Sequence, residues 1–224
     1  AMAVDGYDWR KTMIARKQND AKAEIHLNRL LERYPELSDL KGKIEAACRI
    51  MEASFASGGK LLVCGNGGSA ADADHIVGEL MKGFYKKRSL PAEEASKLGE
   101  YARYLQGALP AIALTQHAAL STAFLNDVNP EMGFAQQVYG YGRGGDVLLG
   151  ISTSGNSKNV CNAGRVAMNL GIKTIGLTGR KGGRLSEISD VCIGVPADIT
   201  ADIQELHLPI YHTLCAMLEE LFFD

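Results

Sequence analysis

The sequence has no apolar run that approaches the roughly 18 residues of a membrane-spanning helix. Its first residues, with Asp5, Asp8 and Trp9, lack the basic-then-apolar plan of a signal peptide. The five cysteines form no CxxC pair, which argues against a structural zinc site and favours buried, reduced thiols. These absences predict a soluble, cytoplasmic protein with no membrane partner.

An excess of charge of either sign is also lacking. The formal net charge is −2 over 224 residues, and the only short basic run is Lys86-Lys87-Arg88. Proteins that bind nucleic acid usually carry a clustered basic surface. We therefore expect no nucleic-acid partner and look for the ligand in local sites.

Five short, largely apolar runs alternate with helical segments, which is typical of a parallel α/β fold. The runs are residues 61–64, 111–114, 147–151, 173–178 and 191–195. Strands that are apolar along their whole length are buried on both faces. The sequence thus predicts a five-stranded parallel sheet with helices on both faces, closed by a last helix over about 200–222.

Two amphipathic helices precede the first strand. Apolar residues recur at helical spacing from about Asp8 to Arg33 and again over about 38–57, where Gly58-Gly59 ends the pattern. A minimal strand-helix repeat has no place for them. We expect residues 1–57 to form an appendage that packs on the sheet or on another subunit, and residues 58–224 to form the main domain.

The stretch 61–80 (LLVCGNGGSAADADHIVGEL) predicts a strand, a glycine turn and a helix that starts at Ser69. On that helix His75 and Glu79 are four residues apart and share one face. This spacing suits a metal pair or an acid/base pair, although solvated surface pairs also show it. Its place after a glycine turn at the carboxyl end of a strand favours a functional role.

The same turn formally fits a dinucleotide-binding fingerprint, Gly65-x-Gly67-x-x-Ala70. That motif requires a second strand ending in an acidic residue about 20 positions further on. The sequence there, YKKRSLP, is no such strand. No nucleotide cofactor is therefore expected.

A second polar turn follows the strand VLLGI. Residues 152–157, Ser-Thr-Ser-Gly-Asn-Ser, precede a helix predicted over 158–170. Hydroxyls and backbone N–H groups at a helix amino terminus suit a phosphate, although serines there are often only helix caps. Together with Ser69 they suggest a phosphorylated polyol held between strand ends.

The last helix carries Gln204 and His212 in the segment QELHLPIYH. Eight residues span about 12 Å of a straight helix, too far for one ion to bind both. Either Pro209 bends the helix, or different subunits supply the two groups. The other histidines, His26, His117 and His207, are interpreted as structural or surface residues.

Three segments, CGNGGSAADADHIVGEL, DVLLGISTSGNSKNV and IQELHLPIYH, resemble the SIS (sugar isomerase) domain of phosphoheptose isomerases over residues 38–222. That resemblance implies a flavodoxin-like fold and interconversion of sedoheptulose 7-phosphate and D-glycero-D-manno-heptose 7-phosphate. It also implies a homotetramer whose active sites lie between subunits.

The resemblance implies residue roles as well. Glu79 would be the base and His212 the acid. A zinc ion, one per site, would be held by His75, Glu79, Gln204 and His212. The substrate-binding residues would be Ser69, Ser152, Thr153, Ser154 and Ser157 around the phosphate, and Asn66, Asp127 and Gln204 near the sugar.

The chain departs from the family pattern in three places. Lys82-Gly83-Phe84 stands where the family usually has an arginine, an insertion follows over about 83–108, and an arginine is missing before Gln204. The reaction type is therefore better supported than the identity of the sugar. The alternative is a non-catalytic module that senses a sugar phosphate or binds a protein, such as a replication-initiator partner; the presence of all four predicted zinc ligands favours an enzyme.

Overall fold

The computed structural model of the chain describes residues 9–223, with side chains from Gln18 onward. Its core is a five-stranded, all-parallel sheet in the order β2-β1-β3-β4-β5. The strands are β1 Leu61–Cys64, β2 Ala111–Ala113, β3 Val147–Ile151, β4 Lys173–Gly179 and β5 Val191–Val195. The predicted sheet is confirmed, with β2 one residue shorter and β4 one residue longer than the apolar runs.

Nine α-helices are found in the described residues. They are α1 Trp9–Arg33, α2 Lys41–Ala56, α3 Gly68–Met81, α4 Ala92–Leu98, α5 Ala118–Asp127, α6 Gly133–Tyr141, α7 Lys158–Asn169, α8 Gly183–Ile188 and α9 Thr200–Phe222. None of the helices in this part of the chain is long and apolar enough to cross a membrane. The predicted start of the first helix, Asp8, lies outside the described residues.

The alternation of side chains in β1 separates two hydrophobic cores. Leu61 and Val63 pack with residues of α1, α2, α3 and α9, whereas Leu62 and Cys64 pack with residues of α6, α7 and α8. Both faces of the sheet are therefore covered, as the continuous apolar strands predicted.

The amino-terminal helices pack on the sheet of their own chain. Leu27 and Leu30 of α1 and Ile44 and Met51 of α2 are buried in the same core as Val63. Helix α1 lies along α9. The division of the chain after residue 57 stays a prediction.

The segment predicted as an insertion over about 83–108 contains α4 and a 3₁₀ helix, Gly99–Tyr104, and neither of these helices buries a side chain. Helix α9 runs unbroken through Pro209. Proline removes only one hydrogen-bond donor, and the buried side of α9 keeps the helix in place on the sheet.

Candidate active site

The turn between β1 and α3 is so compact that it requires glycine at two positions. Gly67 has φ +57°, and a Cβ at Gly65 would lie 2.6 Å from the carbonyl oxygen of Ser69. The backbone N–H of Ser69 donates to the carbonyl of Asn66 at 3.0 Å. Ser69 is thereby buried in the first turn of α3, one residue after the helix begins.

Residues 152–157, here called the serine turn, connect β3 to α7. The hydroxyls of Ser152 and Ser157 lie 2.9 Å apart, and the N–H of Asn156 donates to Ser154 Oγ at 3.1 Å. Gly155 has φ +65° and is close to Gly182. Ser157 occupies the N-cap of α7 but makes no side-chain capping hydrogen bond. This weakens the interpretation of these serines as simple caps.

The two turns lie side by side because β1 and β3 are neighbours in the sheet. Asn66 and Asn159 join them through two reciprocal amide hydrogen bonds of 2.9 and 2.8 Å. A cavity of about 260 Å³, whose walls include Asn66, Thr115 and Asn159, opens beside them. The hydroxyl-bearing turns and this cavity thus occupy the carboxyl edge of the sheet, where α/β proteins bind ligands.

His75, Glu79 and His212, here called the helix-pair cluster, meet where α3 packs against α9. His75 Nε2 lies 3.2 Å from Glu79 Oε1 and 3.4 Å from His212 Nε2. The other carboxylate oxygen of Glu79 lies 3.1 Å from Lys82 Nζ. One carboxylate and two imidazoles within hydrogen-bonding reach can carry out acid/base chemistry.

Burial lowers the pKa of His212, and neighbouring His75 lowers it further, while the carboxylate of Glu79 acts in the opposite direction. The neutral imidazole is therefore favoured at neutral pH. A neutral imidazole can accept a proton at one nitrogen and donate one from the other.

Three residues that support this cluster were not predicted. Tyr211 hydrogen-bonds to both Asp72 and His75, and the ring of Phe84 lies 5.5 Å from that of His212. Asp72 precedes His75 by three residues, so the two share a helix face, and Tyr211 is next to His212 in sequence. Those spacings were the available signal.

A buried ion pair fixes α3 and α9 relative to each other. Arg88 Nε donates to Glu219 Oε1 at 2.8 Å, and the other guanidinium nitrogens donate to the carbonyls of Leu80 at 2.6 Å and Glu79 at 2.9 Å. Burial alone would raise the pKa of Glu219, but hydrogen bonds from the amide of Phe84 and from Arg88 hold it below its ordinary value. Arg88 therefore satisfies carbonyl groups at the carboxyl end of α3, the end that carries Glu79.

Gln204 and Asp127 lie apart from the helix-pair cluster. The side chain of Gln204 fills the space beside Gly68, where an added Cβ would meet its Nε2 at 2.6 Å. The exposed Asp127 ends α5 and accepts a hydrogen bond from Asn126. One chain thus brings together three of the four predicted zinc ligands, and Gln204 stands by the β1–α3 turn.

The helix-pair cluster fits zinc in part. Among the described residues, no group of three or more His, Cys, Asp or Glu side chains is placed to hold a metal ion. Taken pairwise, however, the separations of 3.2 and 3.4 Å match the roughly 3.4 Å between two ligands of a tetrahedral zinc ion. Two histidines and one glutamate are also a donor set of catalytic zinc sites, in which the fourth position stays open.

Comparison with known proteins identifies the class of this chain. A phosphoheptose isomerase of Geotalea daltonii is 43% identical over 205 residues, which are 91% of this chain and 96% of the relative. A phosphoheptose isomerase structure from Francisella tularensis superposes with a TM-score of 0.71 at 33% identity, covering 93% of this chain and 96% of that one. A third, from Neisseria gonorrhoeae, gives 0.66 at 32% identity and covers 94% and 98%. The class is that of an isomerase.

The family model described as the SIS domain matches residues 26–100 and 89–179. The overlap of the two matches falls in the segment predicted as an insertion. The chain belongs to the SIS domain family, and the resemblance found in its motifs is confirmed.

Proposed function

We propose that this chain interconverts a phosphorylated aldose and ketose, and that its substrate pair is sedoheptulose 7-phosphate and D-glycero-D-manno-heptose 7-phosphate. The observation that carries the proposal is the pairing of a hydroxyl-rich anion site with an acid/base cluster on one helix. Ser69 lies in the first turn of α3, at the proposed phosphate end, and His75 and Glu79 follow on the same helix. The names of the relatives support the sugar class.

The phosphate would bind at Ser69 and the serine turn. The amino termini of α3 and α7 present the positive ends of their helix dipoles, which favour an anion. Ser152, Thr153, Ser154 and Ser157 add hydroxyl donors, and Asn66, Asp127 and Gln204 would contact the sugar hydroxyls. No fixed positive charge is needed for such a site.

The spacing along α3 favours a long sugar. Six residues separate Ser69 from His75, which is about 9 Å of helix at 1.5 Å per residue. A phosphate held at Ser69 would place the carbonyl end near the helix-pair cluster only if several carbons lie between them. A seven-carbon chain meets this requirement better than a five-carbon one.

Glu79 would be the base that moves the carbon-bound proton between adjacent carbons through an enediol. His212, favoured as the neutral imidazole, would transfer the proton between the two oxygens. The two carboxylate oxygens of Glu79 have different neighbours, since Oε1 faces His75 and Oε2 faces Lys82. One oxygen can therefore interact with a metal while the other accepts a proton.

A zinc ion held by His75, Glu79 and His212 would polarise the substrate oxygen. Gln204 would complete the ligand set from another copy of the chain, because within one chain it lies about 12 Å along α9 from His212. Because each zinc site would then take its ligands from two copies of the chain, we propose a homotetramer with active sites between subunits. We also propose that the protein is cytoplasmic. Light scattering that gives a monomer at micromolar concentration would exclude shared sites, and metal analysis of the purified protein tests the zinc.

The reaction can be tested with heptose, hexose and pentose phosphates in deuterated water. We expect solvent deuterium at the carbon next to the carbonyl of the heptose phosphates. Glu79→Gln should abolish this exchange and leave sugar-phosphate affinity within a few-fold, because the base lies away from the serine turn. Glu93→Gln, an exposed glutamate paired with Lys97 in the inserted segment, is the matched control and should exchange normally. If no sugar phosphate exchanges but one binds, the sensing function becomes the better proposal.

A further inference from the structure

The side-chain amides of Asn66 and Asn159 face each other across the two turns at the carboxyl edge of the sheet. Asn66 Nδ2 donates to Asn159 Oδ1 at 2.9 Å, and Asn66 Oδ1 accepts from Asn159 Nδ2 at 2.8 Å. Asn66 follows β1, whereas Asn159 is the second residue of α7. Both residues line the cavity of about 260 Å³, so the pair forms part of its wall.

The orientation of both amides follows from a count of donors and acceptors. The backbone N–H of Val160 can only donate, and it donates to Asn159 Oδ1 at 3.0 Å. An amide nitrogen in that place could not accept the hydrogen bond, so the position belongs to the oxygen. The Asn66 atom that faces this oxygen must then be the nitrogen. Neither amide can flip without bringing two donors or two acceptors together.

The same count shows what Asn66 can still offer to a ligand. An amide group has two N–H donors on its nitrogen and two lone pairs on its oxygen. Asn159 uses one donor and one lone pair of Asn66, so one of each remains. A hydroxyl group both donates and accepts, and this remainder therefore suits a sugar hydroxyl in the cavity.

Asn66 depends on a partner to hold its amide in one orientation. Its backbone is fixed in the β1–α3 turn, where its carbonyl accepts from the N–H of Ser69 at 3.0 Å. Its side chain is exposed, and the last side-chain torsion of asparagine has only a broad preference. Asn159 is half-buried and is held by Val160, which is fully buried. The rigid part of the pair thus belongs to α7.

We propose that Asn159 is a positioning residue that holds the amide of Asn66 in one orientation, with one N–H and one lone pair left for a hydroxyl of the sugar. Because α7 also follows the serine turn, one helix would align the phosphate site and the sugar contact. The contact with a sugar hydroxyl rests on the proposed function, whereas the fixed orientation of the amide does not.

The orientation can be tested in the full-length chain labelled with ¹⁵N-asparagine. Side-chain nitrogen relaxation should give the wild-type Asn66 amide an order parameter near that of rigid backbone, about 0.85, and Asn159→Ala should lower it below about 0.6. Asn162→Ala is the matched control, because this asparagine of α7 donates to the carbonyl of Glu131 instead, and it should leave the order parameter unchanged.

A second variant keeps the test independent of any disturbance that alanine causes in α7. Asn159→Asp has the same size and still accepts from Val160, but it cannot donate to Asn66. It should therefore lower the order parameter of the Asn66 amide as well. An amide that stays rigid in both Asn159 variants would overturn the proposal.

A double-mutant cycle separates positioning from direct contact with the sugar. Calorimetry with sedoheptulose 7-phosphate should show about 10-fold weaker binding for Asn66→Ala and about 3- to 10-fold weaker binding for Asn159→Ala. If Asn159 acts through Asn66, the double variant should bind within about 2-fold of Asn66→Ala alone. Inorganic phosphate has no sugar hydroxyl and should bind these variants as it binds the wild type. Asn162→Ala should bind both ligands normally.

Two results would contradict the positioning role of Asn159. One is a set of losses that multiply in the double variant, and the other is an equal loss of affinity for inorganic phosphate. If the wild type binds no sugar phosphate while the order parameter of Asn66 falls as expected, the proposed function fails and the positioning role stands.

Discussion

The serine turn and the helix-pair cluster are built in opposite ways. The serine turn consists of six consecutive residues, several of which hydrogen-bond to one another. The helix-pair cluster joins two residues of α3 to His212, which lies 137 positions from His75 in sequence. A site made within one turn depends on local backbone geometry, while a site made between two helices depends on whatever holds those helices together.

The Arg88–Glu219 ion pair holds α3 and α9 together near the cluster and touches neither histidine. It binds the carboxyl end of α3 to α9 seven residues beyond His212. The serine turn has no contact with this pair in the described residues. Substitutions should therefore be able to damage one site and spare the other.

The largest effect is expected from Arg88→Met. It leaves Glu219 as a buried, unpaired carboxylate and frees the last carbonyls of α3, which should cost about 3–5 kcal/mol of unfolding free energy. Urea unfolding measures this loss, and proton exchange should fall in the folded protein while phosphate still binds. Lys97→Met removes an exposed ion pair with Glu93 and should cost less than about 1 kcal/mol. Equal losses in the two variants would contradict the anchoring role of Arg88.

Gly155→Ala should damage the other site. The residue has φ +65°, and its new Cβ would collide with the carbonyl of Gly182, so we expect a cost of about 2–4 kcal/mol and weaker phosphate binding. Gly171→Ala is the matched control, since φ is +70° there but nothing lies within 4 Å of the added atom. It should cost only about 1 kcal/mol. Stability and phosphate affinity that change equally in both variants would show that the close contact is unimportant.

This contrast also explains what could be predicted from the sequence. Apolar runs and glycine turns are local signals, and from them the sheet, the serine turn and the shared helix face of His75 and Glu79 could be predicted. Arg88 was noted only as part of a short basic run, and no local signal points to its partner, which lies 131 residues away. Helix α5 has no buried residue and hence little periodic signal. The position of Gln204 beside Gly68 depends on how α9 packs, which spacing alone does not determine.

Ser154→Ala sharpens the comparison within the serine turn. Its Oγ accepts a hydrogen bond from the N–H of Asn156, and the side chain is exposed where the proposed phosphate would bind. Losing one charge-assisted contact should weaken sugar-phosphate binding by about 1–3 kcal/mol, which calorimetry can measure. Ser38→Ala removes a serine hydroxyl that donates to the carbonyl of Pro35 near α2, and it should leave affinity unchanged. Unaltered affinity in Ser154→Ala would remove this residue from the phosphate site.

The smallest effect at neutral pH is expected from His207, which docks α9 on the sheet between Gln204 and His212. The ring is fully buried, its Nε2 donates to the carbonyl of Thr178 at 3.2 Å, and Nδ1 has no partner among the described residues. Burial lowers the pKa of His207 from 6.5 to about 4. The folded state thus binds fewer protons than the unfolded state between these values, and stability should fall as the pH is lowered through this range, by about 3 kcal/mol in total. His207→Gln keeps a donor for the carbonyl of Thr178 and should flatten the pH dependence of urea unfolding between pH 6.5 and 4. The matched control is His117→Gln, because His117 is partly exposed at the start of α5; this variant should retain the wild-type slope. A wild-type slope in His207→Gln would mean that other groups cause the acid sensitivity of the α9–sheet contact on which both sites depend.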